Sequence, residues 1–149
     1  MIDALDIAAR AADRARRIVT ILGEAEADVH GVTLDKVHFH EVGAVDSIVD
    51  MLGAAIGLEL LDVETVSCAP VPIGSGFVKC AHGTMPLPAP ATAAICAAHH
   101  IPQTGVERTV ETVTPTGAAI VAAVASDFGP LPAMSVERLG YGAGDRDDP

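Results

Sequence analysis

The sequence predicts an α/β layered domain, with helices packed on a small mixed sheet. Three observations carry that expectation. Stretches with apolar residues at helical spacing alternate with short stretches rich in Val, Thr, Phe and Cys. Pro and Gly cluster between them, where the chain must turn. The 149 residues suit one core, which at this size buries about 68–70% of the unfolded chain's surface. The whole chain, 1–149, is therefore read as a single domain, with a long helix over about 1–29 and an α/β core over 30–144.

The elements follow in order. Leu5, Ala8, Ala12, Ala15, Val19, Leu22 and Ala25 predict a helix near Asp3–Val29, with Asp6, Arg10, Asp13, Arg17 and Glu24 on its other side. His30-Gly31 stops it, Gly31 being the left-handed residue after its end. Leu34 to Glu41 reads as a short strand or extended loop. Ala44 to Leu61 reads as a second helix, with Val45, Ile48, Val49, Leu52, Ile56 and Leu60 as core positions. Along one of its rows Asp46, Asp50, Gly53 and Gly57 form a groove that another backbone or a ligand can approach. Glu64–Ala69 reads as a strand, broken by Pro70, Pro72, Gly74 and Gly76, and Phe77–Cys80 as another. Pro90 suits the first turn of a third helix running to about His99. A short strand spans Ile101–Val106. Thr114 caps a fourth helix whose first residue is Pro115, and which runs to about Ser126. Met134–Leu139 reads as a last strand.

Composition narrows the function. Twenty acids against nine bases give a net charge of −11. Nucleic acids and anionic membranes need clustered Lys and Arg, so neither is an expected partner. Three scattered cysteines, Cys68, Cys80 and Cys96, make no disulfide framework. No long apolar run and no secretory leader stand out, so a cytoplasmic chain is expected. With 3% aromatics and no Trp, the core must be Ala, Val, Leu and Ile. Such a lean core leaves apolar surface for another chain or domain to cover, and a homo-oligomer is expected.

The densest polar cluster is His38-x-His40-Glu41 followed by Asp46 and Asp50. Two imidazoles on one side of an extended segment can bind a borderline divalent metal, and the carboxylates of the next helix turns can complete the site. Asp46 also has a plainer use, since an acid in a helix's first turn is stabilised by the dipole alone. Cys80 and His82 form a second candidate pair, for metal or for nucleophilic chemistry, although such a cysteine can equally be a small buried residue. Thr112, Thr114 and Thr116 with Gly117 place hydroxyls and amides at a helix start, a candidate anion site that also reads as a simple cap. Gly74-Ser75-Gly76 and the Gly140–Gly144 run can let a ligand near the backbone. His99 and His100 fit the C-terminal end of a helix dipole.

Several of these strings, in this order, resemble the LarC-type nickel-insertion proteins. They are His38-Phe-His-Glu-Val-Gly-Ala-Val-Asp-Ser-Ile-Val-Asp50, Pro72-Ile-Gly-Ser-Gly76, Val78-Lys-Cys-Ala-His-Gly83, Pro86-Leu-Pro-Ala-Pro-Ala-Thr92, Val113-Thr-Pro-Thr-Gly-Ala118 and Gly140-Tyr-Gly-Ala-Gly144. The resemblance implies a nickel chelatase, or cyclometallase. Such an enzyme inserts Ni²⁺ into pyridinium-3,5-bisthiocarboxylic acid mononucleotide and so makes the nickel-pincer cofactor of lactate racemase. The family consumes CTP with Mn²⁺ or Mg²⁺. Its members carry a glycine-rich start and a C-terminal region with the metal–CTP site, and neither is matched here. The chain is thus expected to be a portion of the N-terminal region, with a further domain or partner chain supplying the rest, and inactive on its own. The resemblance assigns no roles to these residues; by their chemistry His38, His40, Asp46 and Asp50 are the expected metal ligands, Glu41 or His82 the expected base, and Thr114, Thr116 and Gly117 the expected cofactor-binding residues. A non-catalytic metal-binding or oligomerisation module is the alternative.

Overall fold

The computed structural model describes residues 2, 6–37, 45–80 and 83–142, with only the backbone of Cys80. Helix α1, Ala9–His30, is the centre of the molecule and packs on all three other helices. Ala11, Ala15, Ile18, Leu22 and Ala25 recur at steps of four and three, so they fall on one face, and that face is buried. Each fully buried Ile or Leu contributes about 1.5–3 kcal/mol. Gly31 ends the helix in the left-handed region at φ 64, as expected. The start differs from the expectation. Residues 6–8 precede the helix without joining it, and Leu5 lies outside the described residues.

Helix α2, Val45–Leu60, lies beside α1. Its C-terminal end is held by two arginines of α1. Arg14 donates to Val63 O at 2.9 Å and to Glu59 at 3.2 Å, while Arg10 bonds Glu59 and Asp62. These acids hold the Arg10 guanidinium protonated to still higher pH than usual. The buried face of α2 corrects the sequence reading. Met51 and Ala55 are buried, with Ile48 and Leu52 packed beside them, whereas Val45, Val49 and Leu60 face outward. Helix α2 is apolar on more than one face, so periodicity could not choose between them.

The strands are short. β1 (Ser67–Cys68), β2 (Val71–Ile73), β3 (Phe77–Cys80), β4 (Gly83–Pro86), β5 (Gln103–Gly105) and β6 (Asp127–Phe128) form three two-stranded pieces. β1 pairs parallel with β6, β2 parallel with β5, and β3 antiparallel with β4, with Val78 opposite Met85. The class is mixed α/β as expected, with the sheet in pieces rather than continuous. Two strands of the sequence reading shrink, to Ser67–Cys68 and Gln103–Gly105.

Pro72 was expected to break a strand and instead sits inside β2. Val71 N donates to Pro102 O on the β5 side, so the nitrogen of Pro72 points to the other side, where the ladder needs no donor. Gly74 follows it. A Cβ there would lie 2.3 Å from Val110 O, so only glycine permits this approach. Ser75 N then bonds Arg108 O at 2.9 Å. The backbone that approaches the Gly-Ser-Gly stretch is therefore the chain's own, not a ligand's.

Helices α3 (Pro90–Ala98) and α4 (Pro115–Val124) complete the core. Their inward residues, Ala91, Ile95, Cys96, Ala118, Ala119, Ala122 and Ala123, are mostly alanines, which lets the helices pack closely on α1. Burial pushes the Cys96 thiol pKa up. Met134–Leu139 is not a strand. It has no pairing partner among the described residues, and Leu131, Met134, Val136, Leu139 and Tyr141 are exposed. No helix among the described residues is long and apolar enough to cross a membrane.

Candidate functional site

One fully buried polar side chain organises the site. Thr92, 0% exposed in the first turn of α3, donates its hydroxyl hydrogen bond to Val113 O at 3.3 Å. That bond ties the start of α3 to the residue just before the cap of α4. The cap is Thr114, as the sequence indicated, and its hydroxyl accepts from Gly117 N at 3.1 Å. Both helices begin with proline, which has no amide hydrogen to lose there. The two helix starts therefore lie side by side, and both face an open cleft of about 430 Å³.

The cleft has walls of opposite character. Pro90 and Ala91 of α3 and Thr114, Pro115 and Thr116 of α4 form one side. First-turn amides without partners inside their own helix, together with the positive ends of two helix dipoles, favour an anion there. Glu26 and His30 from the last turns of α1, Asp50 of α2 and Glu111 supply the ionisable groups. Three carboxylates on one cleft favour a cation there. Val29, Val78 and Met85 make the floor apolar. The volume lies within the range of small-molecule sites.

Of the residues singled out in the sequence, Asp50, Thr114 and Thr116 meet at this cleft. Asp46 is exposed in the first turn of α2 and does not line it. Gly117 sits one residue in from the lining, and its amide is taken by the Thr114 hydroxyl. Thr112 turns away, donating to Pro72 O and accepting from Gly74 N, so it serves β2. His38, His40, Glu41 and His82 lie outside the described residues, as does the side chain of Cys80. Among the described residues no three His, Cys, Asp or Glu side chains are grouped to hold a metal. Gly53 and Gly57 have open space over them.

Glu26, His30 and Glu111 were not singled out as ligands in the sequence. The Glu26-x-x-x-His30 spacing was a readable signal, since residues four apart share a helix face. His30 was read only as part of a helix end. Nothing local marks Glu111, which is brought to the cleft by the segment joining β5 to α4.

The profile of the family described as nickel insertion protein matches residues 1–149. The chain belongs to the nickel insertion protein family. Relatives named for nickel insertion include proteins from Syntrophotalea carbinolica, 60% identical over 134 residues, and Citrifermentans bemidjiense, 54% identical over 149 residues. A third, from Geotalea daltonii, is 52% identical over 147 residues. These alignments cover 90%, 100% and 99% of this chain and 33%, 38% and 37% of the respective relatives. The chain thus spans about a third of the length of the curated relatives it matches. No solved structure matches it. Nickel is the metal this family handles.

Proposed function

We propose that the cleft holds the organic acceptor during nickel insertion, and that this acceptor is pyridinium-3,5-bisthiocarboxylic acid mononucleotide. The observation that carries the reading is the cleft with two kinds of wall. A mononucleotide brings a phosphate, which suits the paired starts of α3 and α4 beside Thr114 and Thr116. It also brings a cationic ring and calls in Ni²⁺, both of which suit Glu26, Asp50 and Glu111. Imidazole and carboxylate donors hold nickel loosely enough to pass it to sulfur and carbon, whereas several thiolates would retain it. His38, His40, Asp46 and Asp50 are the proposed nickel ligands. Metallating the ring carbon replaces a C–H bond by a C–Ni bond and releases one proton. Glu41 or His82 is the proposed acceptor of that proton. No three-ligand metal site for CTP with Mn²⁺ or Mg²⁺ is grouped among the described residues.

Calorimetry with the mononucleotide and with its dephosphorylated nucleoside tests the reading. The mononucleotide should bind, and the nucleoside should bind at least about tenfold more weakly, the equivalent of about 1.4 kcal/mol. Thr116→Asp, which sets a negative charge at the phosphate position, should abolish the difference. Equal binding of the two ligands would overturn the assignment. A second reading, an interface module without chemistry of its own, is favoured by one observation: Val45, Val49 and Leu60 of α2 are exposed along the helix.

A further inference from the structure

We infer that Glu26 and His30 supply a landing site for Ni²⁺ on the cleft wall, used before the metal reaches its organic acceptor. The inference rests on the cleft reading only for the metal's destination. Its own basis is geometric. The two residues stand four apart on the last turns of α1, with His30 Nε2 3.5 Å from a Glu26 carboxylate oxygen. A first-row divalent ion bonded at about 2.1 Å to a nitrogen and an oxygen holds those donors roughly 3.0–3.4 Å apart. The pair is within a few tenths of an ångström of that bite. Both side chains line the cleft, and Asp50 and Glu111 on the same cleft add negative potential that draws a cation in.

The pair is also placed firmly. The Glu26 side chain is only 16% exposed, so packing restricts its carboxylate and little rotamer freedom is left to lose on binding. His30 closes the helix against a fixed end, where Gly31 N and Val32 N donate back to Asp28 O and Ala27 O. One nitrogen and one oxygen donor match a borderline ion such as Ni²⁺. Two donors fill only part of the coordination of a four- to six-coordinate ion. A cargo ion needs that arrangement: held, and still open to the acceptor's sulfur. The purely structural alternative is an i,i+4 pair that supports the helix by a few tenths of a kcal/mol and binds nothing.

The test titrates Ni²⁺ into the full chain, without the mononucleotide, and follows amide signals by NMR alongside calorimetry. Paramagnetic broadening should include residues 26–32 in wild type, a result that requires no variant to fold. Loss even of a group that supports a metal ligand costs about 10–100-fold in affinity, so His30→Gln and Glu26→Gln should each weaken this site at least about tenfold. Their melting temperatures should stay near wild type. Broadening that spares the end of α1, unchanged affinity in both variants, or no Ni²⁺ binding at all would overturn the landing site. Binding lost only in His38→Ala or His40→Ala would do the same and leave the cleft reading intact, because the mononucleotide assay is run without metal.

Discussion

Helices α1 and α2 lie against each other and use their apolar residues in opposite ways. In α1 the large aliphatics Ile18, Ile21 and Leu22 are buried under three other helices. In α2 only Met51 and Ala55 are buried, while Val45 is 77% exposed and Leu60 81%. Both helices show apolar residues at helical spacing. The difference lies in how many neighbours each has. α1 is central and meets α2, α3 and α4, whereas among the described elements α2 packs mainly on α1 and α4. An apolar helix face states that a partner is needed. It does not state that the same chain supplies one.

The largest test of that contrast compares two leucines. Leu22→Ala leaves a cavity in the middle of the core and should cost about 3–4 kcal/mol. Leu60→Ala removes a side chain that already meets solvent and should stay within about 0.5 kcal/mol. Urea unfolding of both variants measures the gap. A Leu60→Ala loss approaching that of Leu22→Ala would break the comparison, since it would mean that the outer face of α2 is covered in solution. The molecular mass at the same concentration would then show whether a second copy covers it.

The two helices also mark how far the sequence could be read. Local rules served well where one residue decides the outcome. Gly31 takes the left-handed turn, Thr114 caps α4 and Pro115 starts it, because each needs only its neighbours. Position within the fold was harder. In α1 the expected positions Ala12, Ala15, Leu22 and Ala25 are buried, but Ile18 and Ile21 join them, and the core face of α2 differs from the expected one. Pro72 looked like a strand breaker because the side its nitrogen would face depends on β5, thirty residues later. Met134–Leu139 had the alternation of a strand and no edge to pair with. The cleft was half legible. Asp50, Thr114 and Thr116 could be named from motifs, but their meeting depends on Thr92 reaching Val113, a tertiary contact with no local signature.

A middle-sized effect sharpens the contrast at the cleft. Thr114→Ala removes the hydroxyl that accepts from Gly117 N and should cost about 1 kcal/mol. The loss stays modest because α4, like α1, is held by its buried face, here Ala118, Ala119, Ala122 and Ala123. Thr116→Ala, which leaves the bond from Gly117 N to the Thr114 hydroxyl in place, should change stability by less than about 0.5 kcal/mol. Thermal melts of the two variants separate a residue that holds the helix from one left free to meet a ligand. Equal losses would merge those roles.

The smallest effect reads the same contrast through two thiols. Cys96 is buried on α3, and desolvation holds its pKa above the ordinary thiol range. Cys68 is half-buried in β1, with its sulfur near Ala69 O. Only the thiolate reacts with iodoacetamide. Cys68 should therefore be alkylated well before Cys96 in the native protein, as peptide mass spectrometry at about pH 8 would show. The sign of the linked stability follows. A cysteine whose pKa is raised on folding favours the folded state at pH below the ordinary thiol range, and that contribution fades as pH climbs through the raised value. Unfolding free energy should thus slope downward above about pH 9, less so in Cys96→Ala. The two leucine variants then tie this back to the helices. Leu22→Ala loosens the core that contains both Leu22 and Cys96, so it should speed alkylation of Cys96. Leu60→Ala should leave it at the wild-type rate, because the outer face of α2 takes no part in closing that core. Faster Cys96 alkylation in Leu60→Ala would show that the outer face of α2 carries weight that its exposure conceals.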